Sequence, residues 1–186
     1  MTYRLFSLLL ALCLGAPVLA AEVGGVKLDD KVSVGGQELV LNGAGIRTKA
    51  IFKVYVASLY LPAKAADLAA VLAKGPRRIQ MNILRNLTAD QLVDALVEGL
   101  NDNNTPAEMA AVKAQADQLV AVMKAFKEIK EKDVVALDFV DGGSRIALNG
   151  EAKGTVPGEP FNKALTRIWL GDKPAQADLK KALLGG

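Results

Sequence analysis

The stretch from Phe52 to Leu61, FKVYVASLYL, constrains this chain more than any other. It is β-branched, aromatic and apolar on both side-chain parities: Phe52, Val54, Val56, Ser58 and Tyr60 alternate with Lys53, Tyr55, Ala57, Leu59 and Leu61. A strand with one wet face alternates apolar with polar residues, so this run belongs in the interior of a sheet covered on both sides. Just ahead of it lies Asn42 to Arg47, NGAGIR, which sets two glycines and a cation beside the most apolar strand. Arg47, with Tyr55 nearby, is the first candidate for chemistry.

The other elements arrange themselves around that strand. Upstream, Val26–Leu28, Val32–Val34 and Gln37–Asn42 read as short strands, with Gly35-Gly36 as a hairpin turn. Gly43-Ala44-Gly45 interrupts the strand pattern, as glycines do at a bulge or a close backbone approach. A phosphate-cradling loop is the functional alternative, but no G-x-G-x-x-G pattern is completed. Downstream, residues 65–74 form a short helix, and Arg77 to Leu84 alternates Ile79, Met81 and Ile83 with Arg78, Gln80 and Asn82. Thr88-Ala-Asp-Gln91 and Thr105-Pro-Ala-Glu108 are capping boxes that start two helices. From the second, Met109, Val112, Ala116, Leu119, Met123 and Phe126 fall on one stripe. Asp133 onward returns to strands, with turns at Asp141-Gly-Gly143 and Asn149-Gly150. Pro160 opens a helix carrying Phe161, Leu165, Ile168 and Trp169, and Gln176 to Leu184 is the last helix. Strands, helices, strands, helices in that order predict an α+β fold: a large antiparallel sheet with a layer of helices on one face, an open-faced sandwich.

Composition removes several classes of chemistry. The first twenty residues have a short basic start, an apolar run from Leu5 to Leu14 and a small-residue cleavage site, as in a secretory signal peptide. Residues 1–20 are therefore read as a leader and 21–186 as a single domain, periplasmic or secreted. Cys13 lies inside the apolar run, and Leu12 before it speaks against lipidation. With that leader removed, the chain has no Cys, and it has no His anywhere. Thiolate nucleophiles, imidazole bases, disulfides and zinc sites of His or Cys are excluded, and neither metal nor other cofactor is expected. The 23 basic and 20 acidic residues are interspersed, without the basic stripe that nucleic acid demands. No later apolar run is long enough to span a membrane.

Asn42–Arg47, Phe52–Leu61, and Trp169 to Leu183 with the helix before it together resemble the chalcone isomerase-like proteins in their bacterial secreted form. The resemblance spans essentially the whole chain after the leader. It implies a large antiparallel sheet backed by helices, with a cleft between. Plant members of that family close a chalcone to a flavanone, and others bind fatty acids without catalysis, holding the carboxylate with an Arg and a Tyr. By this resemblance Arg47 matches the Arg of both kinds, and the plant polar Thr on the central strand falls at Tyr55. The helix positions where the enzymes carry Tyr and Asn fall at Leu92 and Gly99, and the Thr or Ser near the final helix falls at Ile168. The cation persists while the polar network around it becomes apolar, which departs from the enzyme pattern and agrees with the binding one.

Three readings follow. The first is a non-catalytic binder of a small apolar, carboxylate-bearing, fatty-acid-like ligand in a cleft between sheet and helices, held by Arg47 and Tyr55. The second is an isomerase or lyase in which Arg47 stabilises an enolate. The third is a ligand-free interaction protein whose cleft is filled by its own side chains. The structural alternative for Arg47 is an ion pair with Asp138 or Glu38, and Tyr60 and Trp169 are read as core.

Overall fold

The computed structural model describes residues 21–73 and 75–186; the expected leader, with Cys13, lies outside the described residues, as does Lys74. A hairpin of β1 (Ala21–Val23) and β2 (Val26–Leu28) comes first. β1, three residues long, carries too little pattern to be foreseen from sequence. β3 (Lys31–Val34) turns through Gly35-Gly36 into β4 (Gln37–Lys49), which turns through Ala50-Ile51 into β5 (Phe52–Leu61). α1 (Leu68–Ala73) and β6 (Arg77–Ile83) follow, then β7 (Leu87–Thr88), α2 (Ala89–Asn103), α3 (Pro106–Ala111) and α4 (Lys113–Lys124). The chain closes with β8 (Glu128–Ile129), β9 (Val134–Val140), β10 (Gly143–Leu148), β11 (Glu151–Pro157), α5 (Glu159–Leu170) and α6 (Ala177–Leu183).

Seven strands form one antiparallel sheet in the order β11-β10-β9-β6-β5-β4-β3. The helical segment is the crossover between β6 and its neighbour β9. Leu59, Ile79 and Leu137 lie side by side across three strands, and they join Ala57, Leu61, Met81, Val135 and the helices in the main core. On the opposite parity the sheet curls, so that Val34 and Leu39 enclose Tyr60 and Val140 of β9 packs against them. Val56, Ser58 and Tyr60 are thus as fully buried as Ala57, Leu59 and Leu61. The two-sided apolarity of β5 has its explanation here: helices cover one side, the curled sheet and the first hairpin the other. Among the described residues no helix is long and apolar enough to cross a membrane.

Two local readings need correction. β4 is not ended by Gly43-Ala44-Gly45 but continues through it, with a register shift between Leu41 and Gly43. The glycines are there because α6 crosses the strand. A Cβ on Gly43 would lie 2.1 Å from the Ala182 carbonyl oxygen, and one on Gly45 would lie 2.9 Å from the Ala182 Cβ. The six-residue stripe from Met109 to Phe126 is likewise not one helix. It breaks at Val112 (φ −112°, ψ 11°), which ends α3, starts α4 and buries its side chain. Both capping boxes form as expected, Thr88 with Gln91 and Thr105 with Glu108.

Candidate functional site

Arg47 sits near the end of β4 and is the direct cross-strand partner of Tyr55 on β5. Directly opposed residues of an antiparallel pair project from the same face. Tyr55 packs with the main core, so both side chains belong to the helix-facing side. A second register shift follows Arg47, and there Gln176, the N-cap of α6, reaches the strand. Its Oε1 accepts from the Thr48 amide at 2.8 Å and from Arg47 Nη1 at 3.4 Å. Nη1 also donates to the Thr48 carbonyl at 2.6 Å.

The Tyr55 hydroxyl accepts from Trp169 Nε1 at 3.1 Å. Burial pushes the phenol above its ordinary value of 10.0, more than Trp169 and the nearby Arg47 pull it down. The hydroxyl therefore keeps its proton at neutral pH and has one hydrogen bond to give. The arrangement is rich in donors and poor in acceptors: a half-buried guanidinium, a neutral phenol and an indole N–H, met by a carbonyl and an amide oxygen.

No carboxylate among the described residues lies within ion-pair distance of Arg47. The two that sequence offered are taken by other cations. Arg78 holds Asp138 in a two-pronged bridge at 2.5 and 2.7 Å, and Lys31 holds Glu38 at 2.8 Å. Trp169, read as core, is core with a polar task. Gln176 was signalled only by its place at the start of the last helix.

A second cation escaped the sequence reading altogether. Arg77 opens β6 and is 3% exposed, with Nε donating to Thr166 Oγ1 at 3.0 Å and Nη2 to the Asn162 carbonyl at 3.2 Å. Its guanidinium stands 4.7 Å from the centre of the Phe139 ring. Burial lowers its pKa to about 10, partly opposed by Glu159.

One surface depression of about 430 Å³ is lined by Ala177, Lys180, Lys181, Leu184 and Gly186, and another of about 240 Å³ by Asn104, Glu108, Glu159, Lys163 and Arg167. Neither is lined by Arg47 or Tyr55. Of the positions matched to the enzymes' polar groups, Leu92 is half-buried against the core. Gly99 meets Ile168 where α2 crosses α5: a Cβ there would lie 2.8 Å from Ile168 Cγ2. Close helix packing occupies the place where a polar pair was looked for.

A curled antiparallel sheet backed by helices, with an Arg–Tyr pair on its covered face, defines an α+β protein of the chalcone isomerase type. The family model described as chalcone isomerase-like matches residues 20–185, and the chain belongs to that family. No curated protein matches it. The chain is similar to the crystal structure of a fatty-acid binding protein of Arabidopsis thaliana, at 13% identity and a TM-score of 0.66, over 86% of this chain and 92% of that one. At that identity the likeness establishes the shared fold.

Proposed function

We propose that this chain is a non-catalytic binding protein for a small apolar molecule with a carboxylate head, a fatty acid or similar, gripped by Arg47 and Tyr55. The observation that carries the reading is that Arg47, beside the Tyr55 hydroxyl, has no carboxylate within ion-pair distance among the described residues. A carboxylate supplies two acceptor oxygens, one facing the guanidinium and one the phenol. Each CH₂ of the tail removed from water adds about 0.8 kcal/mol. A fatty-acid binding protein of the same fold supports the reading.

The reading takes residues 1–20 as a cleaved leader and residues 21–186 as the working domain, exported to the periplasm. Sequencing the N-terminus of protein recovered from a periplasmic extract tests that part. Native mass spectrometry of the same material tests the rest. Co-purified fatty acid is expected, with affinity lowered ~10- to 100-fold by Arg47→Ala, the loss of a charge-assisted pair of about 1.5–3 kcal/mol. Neither of the two depressions is lined by Arg47 or Tyr55, which favours one competing reading, an interaction protein without small ligand. Protein that is clean of lipid, and binds none when fatty acid is added back, decides for that alternative.

A further inference from the structure

The β4–β5 hairpin extends beyond the Arg47–Tyr55 pair by two further pairs, Thr48 with Lys53 and Lys49 with Phe52. Its tip exposes Ile51 at 85% and Phe52 at 52%. The turn is tight, with Ala50 at φ 54°. Val97, the remaining large apolar residue exposed among those described, sits apart on α2.

The surroundings of the tip are cationic. Lys49 and Lys53 flank it and are exposed, and the exposed Arg85 lies over the Phe52 ring at 4.6 Å. The loop carrying Arg85 is tied to this end of the sheet through Leu84 N to the Val54 carbonyl, and to the next loop through Glu131 N to Asn86 Oδ1. That loop carries Lys130 and Lys132 balanced by Glu131 and Asp133, so the cationic character of the tip comes from Lys49, Lys53 and Arg85. Two apolar side chains projecting beside Lys49, Lys53 and Arg85 fit one kind of partner, a bilayer with anionic headgroups: the apolar tip enters the acyl boundary while the cations meet the phosphates.

We infer that the 49–53 hairpin tip docks this protein peripherally onto anionic membranes. The docking surface is distinct from the carboxylate clamp and stands without it. It also places the Arg47–Tyr55 end of the sheet toward the bilayer.

Co-sedimentation with vesicles of mixed phosphatidylglycerol and phosphatidylethanolamine, against vesicles of phosphatidylcholine alone, tests it. Wild type pellets with the anionic vesicles only, and less so as salt is raised. Ile51→Ser combined with Phe52→Ser, whose fold is checked by circular dichroism, weakens binding at least tenfold. Lys49→Gln and Lys53→Gln each weaken it about fivefold. Wild type that stays in solution with anionic vesicles at low salt overturns the inference, as does a double Ser variant that pellets like wild type. Sedimentation showing a dimer that the double Ser variant loses, with no vesicle binding, assigns the tip to a second copy of the chain and overturns it too.

Discussion

Arg77 and Arg47 are two guanidiniums on the helix-facing side of one sheet, and neither has a carboxylate within ion-pair distance among the described residues. Arg77 is the more deeply buried, yet its Nε and Nη2 end on Thr166 and Asn162 and its face on Phe139. Arg47 is half-buried, with Nη1 donating to one carbonyl and one side-chain amide, and its guanidinium also meets the Tyr55 hydroxyl. Burial alone does not mark a binding cation. A buried guanidinium held by the protein's own hydrogen bonds and a ring face is a structural part, costly to desolvate but kept by those contacts. One that is half-exposed, with no carboxylate of the protein's own beside it, is placed to take an anion.

The largest effect that tests this contrast is on stability. Arg77→Ala removes two hydrogen bonds and leaves a cavity between β6 and α5, at about 3 kcal/mol. For a chain of this length the melting temperature should fall by roughly 6–12 °C. Fatty acid retained per folded molecule should not change. Arg47→Ala should do the reverse, changing stability by less than about 1 kcal/mol while the ligand is lost. A variant of Arg77 that folds normally but no longer holds lipid exchanges the two roles and breaks the comparison. Thermal melts read beside native mass spectra separate the outcomes.

Tyr55 is next in size because it serves both purposes. Tyr55→Phe removes a donor to the ligand, worth about 1 kcal/mol or fivefold in affinity. It also strands the Trp169 indole N–H, which is 5% exposed, at about 1–3 kcal/mol of stability. Adding Trp169→Phe removes the orphaned donor, so the double variant should regain part of that stability and none of the affinity. A double-mutant cycle measured by melts and by fatty-acid titration checks this. Affinity restored together with stability makes Tyr55 a packing residue only.

How much of this was legible in the sequence follows from how local each signal is. The capping boxes at Thr88 and Thr105 lie within four residues, and both form. The two-sided burial of β5 could be read from its composition, although what covers its second face could not. Gly43 and Gly45 announced a close approach without naming α6, which lies well over a hundred residues away. Arg77 was invisible for the same reason. An Arg at the start of a strand looks like a wet edge until α5 brings Asn162 and Thr166 to it. Val112 kept its place on the apolar stripe while the helix broke beneath it, since helical spacing continues across a short interruption. Arg47 and Tyr55 were legible as a pair. The Trp169 and Gln176 contacts that complete their surroundings were not, because both arrive from the far end of the chain.

The smallest effect concerns a third guanidinium, one that does have its carboxylate. Arg167 binds Glu108 at 2.9 Å, and Glu108 also accepts from the Thr105 amide and hydroxyl at 2.8 and 3.0 Å. The Thr105 backbone first, then Arg167, hold the Glu108 carboxyl down to about 2 from its ordinary 4.5. A carboxyl held low in the folded state contributes stability that is complete above the ordinary value and lost as pH falls through the lowered one. Melting temperatures should therefore decline between pH 4.5 and 2, and Glu108→Gln, whose amide oxygen can still cap Thr105, should flatten that part of the curve. The group is exposed and solvent-screened, so the change is small. Arg47 supplies the control: with no carboxylate of the protein's own, it contributes no such acid limb until a fatty acid is bound. Lipid-loaded protein should then lose its extra stability as the ligand's carboxyl protonates, in wild type and in Glu108→Gln alike. An acid limb in lipid-free protein that disappears with Arg47→Ala points to an internal carboxylate partner for Arg47 and removes the contrast with Arg77.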